Sequence, residues 1–480
     1  MMDTSTNDLA FFTISELSEL IRTKKVSPIE VTRLMLERID RLNPILNAYI
    51  TVTPELAMKA AREAEAEIQR GVWRGALHGV PIGVKDLFNT TGVKTTAASD
   101  LFKDRIPVQD AEVVRKLKAA GAVLLGKHNM HEFAYGCSST VSAFGPVRNP
   151  WKLEHSAGGS SGGTASAVAA GLCFGGLGSD TGGSIREPAA YCAIVGLKPT
   201  YGLVSVDGVI PLARSLDHVG PMTRSVRDAA IMLRAIATYD ERSISQLRLG
   251  IPRAFYFESL DSEIEMATND AIAVLRKLVS SIKEVTTVPT NDIASRTLIG
   301  FEAYSVHADA VAKTPERYQP PTLTLLRAGA QISEGEGLRA QQEVVHLRQE
   351  ILRTFESVDV IITPTVPIPP PTIAAFDAAY SNPAAPATVS DIRRLPLRNT
   401  APFNKYGIPT ISIPCGFTRD GLPIGLQISG PPGGEAMVLQ LASAYERATD
   451  WHQKHPDAER RPDSAQHQYA ERKPDSAQHQ

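Results

Sequence analysis

The stretch GGSSGGTASAVAAGLCFGGLGSDTGGSI, residues 158–185, decides how the chain is read. It holds two clusters rich in serine and glycine. The first is Gly158-Gly159-Ser160-Ser161-Gly162-Gly163-Thr164, and the second is Gly178-Ser179-Asp180-Thr181-Gly182-Gly183-Ser184. Between them, residues 165–172 are rich in Ala and Val and suit a buried helix. Glycine pairs let the backbone turn tightly and approach other groups closely. Two such loops bring main-chain N–H groups and hydroxyls toward one place. The plainer alternative is a helix flanked by glycine loops, with serines serving as N-caps. Two loops this dense in Ser, Thr and Gly weaken it.

The surrounding composition narrows the class. A chain of 480 residues exceeds the size of a single ordinary core, so several domains or one very large α/β domain is expected. A formal net charge of −2 offers no basic field for nucleic acid and no polybasic patch for a membrane surface. Cys137, Cys173, Cys192 and Cys415 are scattered, with no C-x-x-C, which suits a reducing cytoplasm. The opening MMDTSTNDLAFF lacks the basic and apolar regions of a signal peptide. No apolar run is long enough to span a bilayer.

Outward from the central stretch, residues 13–70 read as helices. Ser27-Pro28-Ile29-Glu30 is a capping box with Pro at the first helical position, opening a helix to about Leu42. Thr53-Pro54-Glu55 opens a second, closed at Gly71. The charges on this arm suggest a solvated outer layer, or a contact in a homodimer. Gly79-Val80-Pro81-Ile82-Gly83-Val84 reads as a buried strand that delivers Lys85 and Asp86 at its end. Locally, Lys85 is open to pairing with Asp86, to reaching the surface, or to a functional burial. A helix over residues 110–120 and a strand over 122–125 follow. Gly121-x4-Gly126-Lys127 falls short of a P-loop, because His128 stands where Ser or Thr is required. His128 and His131 have no third zinc ligand, so no metal is expected. Met130, Phe133, Tyr135 and Gly136 are candidates for a pocket wall or for core.

Downstream, strand-like and helix-like segments alternate: strands near 248–252, 358–362, 409–414 and 423–429, and helices over 262–282, 336–356 and 435–447. This alternation predicts α/β layers around a large, mostly buried sheet. Residues 363–388, rich in Pro and Ala, read as a long surface loop. The tail repeats itself, DAERRPDSAQHQ then YAERKPDSAQHQ, and is too polar to bury a core.

A serine hydroxyl needs a base before it can attack. No histidine is an obvious partner for these serines. The letters G-x-S-x-G recur in the first cluster, but its lead-in Lys152-Leu153-Glu154-His155-Ser156 is polar, unlike the buried strand of a nucleophile elbow. A lysine kept neutral by burial is another route to a base, and Lys85 is the lysine that reads as buried.

These residues carry a resemblance. GGSSGGTA, GSDTGGSIREPAA and the upstream GVPIGVKD resemble the amidase signature family of serine hydrolases. The likeness continues through Asn149-Pro150-Trp151, GLKPTYG (196–202), LDHVGPM (216–222), IPCGF and LPIGLQI, covering most of residues 10–450. The spacings of 24 from Ser160 to Ser184 and 75 from Lys85 to Ser160 fit the family. The resemblance implies a large mixed central sheet with helices on both faces, a helical arm over 1–75, a catalytic domain over 76–456 and a separate tail over 457–480. It implies Ser184 as nucleophile, Ser160 as proton bridge behind a cis peptide with Gly159, and Lys85 as base. Thr181, Gly182, Gly183 and Ser184 would supply oxyanion-hole N–H groups, and Ser161, Asp180 and Arg186 would hold the loops. No cofactor is implied. The family includes free-standing amide hydrolases, carbamate- or urea-cleaving members and the A subunit of a tRNA-dependent amidotransferase. That subunit grips its free amino acid with an aspartate shortly before the Gly407-Ile408-Pro409 region and an arginine. Residues 393–404 contain no acidic group, Leu397 occupies the aspartate's position, and Arg327 is the arginine on offer. The sequence therefore predicts a free-standing hydrolase of neutral or partly apolar amides.

Overall fold

The computed structural model describes residues 9–240, 246–288, 292–382 and 391–457. The repeat tail, from residue 458 onward, lies outside the described residues. The strands are β1 (Tyr49–Val52), β2 (Pro81–Lys85), β3 (Val123–His128), β4 (Gly175–Asp180), β5 (Val195–Lys198), β6 (His218–Thr223), β7 (Arg248–Ile251), β8 (Ser281–Glu284), β9 (Val360–Pro364), β10 (Thr410–Phe417) and β11 (Pro423–Ser429). They form one sheet in the order β1-β3-β2-β4-β6-β5-β10-β11-β9-β7-β8. β2 runs parallel to β3 and β4, and β7 parallel to β8 and β9, while the other pairings are antiparallel. The sheet is thus mixed, as expected, and helices cover it.

Local chemistry sets most boundaries. The capping box forms: Ser27 Oγ accepts from Ile29 N and Glu30 N, and the helix runs Pro28–Leu46, one turn beyond the predicted end. The helix Glu435–Arg447 matches its sequence reading. The central helix, Gly162–Ala169, is buried at every position, because it packs on β2, β3, β4 and β6 and against the helix Arg186–Tyr191.

Three readings change. Gly178, Ser179 and Asp180 belong to β4 rather than to a loop, so the second cluster bends only from Thr181. The helix predicted over 262–282 stops at Leu275, and β8 follows. Residues 363–382 begin with the end of β9 and include the helix Ile373–Tyr380, and the rest of that predicted loop, 383–388, lies outside the described residues. The arm is also more than a solvated layer. Its charged faces point outward, but Ile14, Leu17, Val31, Met35 and Ile39 are buried in the main core. Asp228 accepts from Ile14 N at 2.8 Å and Ser15 N at 3.0 Å, and β1 adds the arm to the sheet edge.

Candidate active site

β2 and β4 lie side by side, so the residues leaving their C-terminal ends meet. Lys85 ends β2 and is 0% exposed. Its Nζ lies 2.7 Å from Ser160 Oγ, 2.9 Å from Ser161 Oγ and 2.9 Å from Ser179 Oγ. All three neighbours are hydroxyls. The local alternative, pairing with Asp86, fails: that carboxylate takes Thr96 and, at 3.3 Å, Lys127. Burial pushes the Lys85 amine well below the ordinary lysine range, against the opposing pull of Asp180 and Asp217. Burial thus favours the neutral amine, the form in which a lysine can accept a proton.

The first serine loop is held from every side. The Gly159–Ser160 peptide is cis, as the resemblance implied. The Ser160 carbonyl accepts from His131 N at 3.1 Å and Ser139 Oγ at 3.3 Å, and Glu187 Oε2 accepts from Gly159 N at 2.8 Å. Ser161 stitches the loop to β4, donating to the Ser179 carbonyl at 3.1 Å.

The second turn has a distinctive polarity. Its carbonyls are occupied: Thr400 Oγ1 donates to Gly182 O at 2.7 Å, Glu187 N to Gly183 O at 2.8 Å, and Ser161 N to Ser184 O at 3.2 Å. Among the described residues, no protein group accepts from the N–H of Gly182, Gly183 or Ser184. Carbonyls tied back and N–H groups left open make an anion nest. Gly183 adopts φ 138°, and a Cβ there would lie 2.0 Å from Thr400 Oγ1, so only glycine fits. Ser184 is 4% exposed, and among the described residues its hydroxyl makes no hydrogen bond.

Beneath the turn, Asp180 and Arg186 form a buried ion pair through Nε and Nη2, each at 3.0 Å. Arg186 also donates to Thr400 O, Gln427 Oε1 and Asn404 Oδ1. Burial opposes ionisation of Asp180, but Arg186 overcomes it and holds the carboxyl well below the usual range. Asp180 and Arg186 lie beneath the second turn, and Ser161 bonds to the same strand at Ser179.

Several neighbours have no counterpart in the sequence reading. Ser179 is a third partner of Lys85. His131 lies near the lysine but is driven down to about 3 by burial and by Lys85, so it is neutral at ordinary pH. Asp217 accepts from Thr181 Oγ1 at 2.6 Å and from Leu212 N and Ala213 N. Its signal lies in LDHVGPM, as Gln427's lies in LPIGLQI. The four pocket candidates divide. Met130 and Phe133 are buried in the core, with Phe133 packed on Phe102 and His307, whereas Tyr135 and Gly136 keep partial exposure. All four cysteines are free and buried. Among the described residues, no helix is long and apolar enough to cross a membrane, and no group of three His, Cys, Asp or Glu could hold a metal.

Asp217 gives a first test. Asp217→Asn weakens the anchor of Thr181 and of the 212–213 turn while preserving shape. The expected result is a kcat lower by on the order of 10²-fold, with a smaller change in KM, because misplacing a reacting group costs about that much. An unchanged kcat would show that Thr181 needs no such anchor.

The chain is similar to known proteins along most of its length. The sequence profile described as Amidase matches residues 30–439. The A-type subunit of glutamyl-tRNA(Gln) amidotransferase from Geobacter sp. (strain M21) is 39% identical over 92% of this chain and 98% of its own. A solved structure described as an amidase superposes with a TM-score of 0.83 at 34% identity, covering 91% of this chain and 99% of that one. The structure of 6-aminohexanoate cyclic dimer hydrolase complexed with substrate gives 0.85 at 27% identity over 94% of this chain and 99% of that one. With similarity running along nearly the whole of each partner, this chain belongs to the Amidase family.

Proposed function

We propose that the chain is a free-standing amide hydrolase that cleaves neutral or partly apolar amides through Ser184, Ser160 and Lys85. The observation that carries the reading is the buried Lys85 amine, hydrogen-bonded to serine hydroxyls at 2.7–2.9 Å, beside a turn whose N–H groups are open. Lys85 takes the proton of Ser160, which takes that of Ser184. Catalytic hydrogen bonds are often long without substrate, and the link between the two hydroxyls closes when an amide is bound. Ser184 Oγ then bonds to the carbonyl carbon, and the oxygen's new charge rests on the N–H groups of Thr181, Gly182, Gly183 and Ser184. Each such donor is worth about 2.7–4 kcal/mol. The proton returns through Ser160 to the nitrogen, the C–N bond breaks, and an ester remains on Ser184. Water attacks that ester by the same relay, releasing the acid and restoring Ser184.

Leu397 supports the choice of substrate. Its methyls lie 3.7 Å and 3.0 Å from the Cβ positions that Gly182 and Gly183 lack. An apolar side chain thus borders the nest where an amino-acid-binding relative would use a carboxylate. Tyr135 and Gly136 complete the wall, backed by Met130 and Phe133. The competing reading, a glutaminase component of a tRNA-dependent amidotransferase, is favoured by the 39% identity to such a protein. The purified chain, offered glutamine, an aryl anilide, a long-chain amide and an aryl carbamate, separates the two. Cleavage of the apolar amides supports the proposal, preference for the carbamate moves it to carbamate cleavage, and activity confined to glutamine overturns it. Leu397→Asp should lower kcat/KM for the anilide by about tenfold or more, since it puts a charge where apolar surface was bound. An unchanged value removes Leu397 from the pocket.

The lysine also sets a pH dependence. Lys85 acts as a base only when neutral, and its folded-state pKa lies below its unfolded one. Rate is therefore full at high pH and lost as pH falls through the folded pKa, with a limiting slope of one in log kcat/KM. A profile flat through the acid range would exclude Lys85 as the base.

A further inference from the structure

Glu187 is a buried carboxyl group without a cation. It stands on the helix Arg186–Tyr191, just beyond the second serine turn, and is 0% exposed. The adjacent Arg186 turns its guanidinium to Asp180, Thr400, Gln427 and Asn404 instead. Among the described residues, Glu187 Oε1 has no hydrogen-bond partner. Burial, with the like charge of Asp180, pushes this carboxyl well above its ordinary range. Cys137, Tyr191 and Cys192, the titratable side chains it bears on, are also pushed up by burial and stay neutral.

An unpaired carboxyl is costly to bury, and a methionine would fill the same space without that cost. The polar contacts of Glu187 go to both serine loops. Its Oε2 accepts from Gly159 N at 2.8 Å, one residue before Ser160. Its main-chain N donates to Gly183 O at 2.8 Å, one residue before Ser184. Any residue at 187 would make the main-chain bond, but the bond to Gly159 needs this side chain. The first loop is also closed down on it. A Cβ at Gly158, where φ is 79°, would lie 2.6 Å from Glu187 Oε2 and 2.8 Å from Pro188 Cα.

We propose that Glu187 is a positioning residue of the Lys85–Ser160–Ser184 site: its carboxyl oxygen fixes the Ser160 loop against the helix that follows the 181–184 turn, and so sets the separation of the two serine hydroxyls. The inference rests on the hydrolase reading and adds what the proton relay requires, two loops held in register. Glu187 makes no hydrogen bond to either hydroxyl, so it acts through Gly159 and Gly183. A neutral acid offers Gly159 N a carbonyl oxygen, and an amide offers the same.

The test compares three variants in turnover of the amides named above and in the rate at which an alkyl fluorophosphonate labels Ser184. That reagent joins its phosphorus to an activated serine oxygen and loses fluoride. Glu187→Gln keeps an oxygen for Gly159 N and should retain at least about a third of wild-type kcat. Glu187→Met fills the space but accepts nothing, and Glu187→Asp withdraws the acceptor by one methylene. Both should lower kcat and the labelling rate by about tenfold to a hundredfold, the cost of misplacing a reacting group. KM should stay within about threefold, because the lost contact serves the transition state rather than substrate binding. A merely structural role would lower Tm and leave kcat of the folded protein alone, with no rescue by Gln. A loss under about tenfold in Glu187→Met (or in Glu187→Asp, should the first not fold) overturns the positioning role. A change confined to KM, or a Gln variant as slow as Met, does the same, while wild-type hydrolysis still supports the hydrolase. A wild type that neither cleaves an amide nor reacts with the fluorophosphonate overturns the hydrolase reading itself.

Discussion

Replacing Ser184 with alanine is expected to abolish hydrolysis, lowering kcat/KM by about 10⁴-fold or more, since losing the nucleophile of a serine hydrolase costs up to about 10⁶ in kcat. At about 1.36 kcal/mol per decade, that is a barrier increase of at least about 5 kcal/mol. The fold should hardly notice. Ser184 is buried, but among the described residues its hydroxyl bonds to no protein group, and its carbonyl still accepts from Ser161 N in the variant. The main-chain N–H nest is also retained. The variant should therefore melt close to wild type and still bind the substrate amide with nearly wild-type affinity. Ser160→Ala serves as the comparison. It removes a contact of Lys85 at 2.7 Å, so it should impair activity and also alter the acid limb of the pH profile. Activity retained in Ser184→Ala would remove that residue from the chemistry and leave the open N–H groups as a binding device only.

The site is legible in the sequence where its chemistry is local. Lys85 stands out because a lysine after a buried strand must be paired, exposed or functional. The glycine pairs at 158–159 and 182–183 likewise announce tight turns. What stays hidden depends on neighbours distant in sequence. Whether Lys85 pairs with Asp86 is decided by β3, which supplies Lys127 to that carboxylate. Ser179 is a partner of Lys85 because β4 lies beside β2, a pairing that local sequence does not encode. Asp217 and Gln427 sit in recognisable motifs, but their roles rest on contacts to residues 36 and 241 positions away. Counting charges makes the arm read as a solvated layer, while the buried stripe of Ile14, Leu17, Val31 and Met35 carries its packing. β4 reads as a loop for a similar reason. Glycines usually weaken strands, yet here they let β2 and the central helix approach closely.

Arg186→Met should be the most destabilising single change near the site, costing about 3–5 kcal/mol, because removing one member of a buried ion pair strands the other charge. Arg186 is 0% exposed and donates to Asp180, Thr400, Asn404 and Gln427. Methionine fills part of the space and satisfies none of those acceptors. Against a total stability of about 5–15 kcal/mol, the loss is large enough to appear as a clear drop in Tm or in the denaturation midpoint. Acid should reveal its origin. In wild type the folded-state pKa of Asp180 lies below its unfolded value, so this pair stabilises at neutral pH, and its contribution is lost only as pH falls below the ordinary carboxylate range. Without Arg186, burial dominates and raises the Asp180 pKa. The variant then gains stability as Asp180 takes up a proton, and the gap to wild type should narrow as pH falls from about 7 toward about 5. Adding Asp180→Asn should recover part of the loss at neutral pH for the same reason, since a neutral amide is cheaper to bury than an unpaired carboxylate. A gap independent of pH, with no rescue by the second change, would mean that Arg186 stabilises the fold through packing and neutral hydrogen bonds alone, and that the charge on Asp180 is not what holds the 181–184 turn in place.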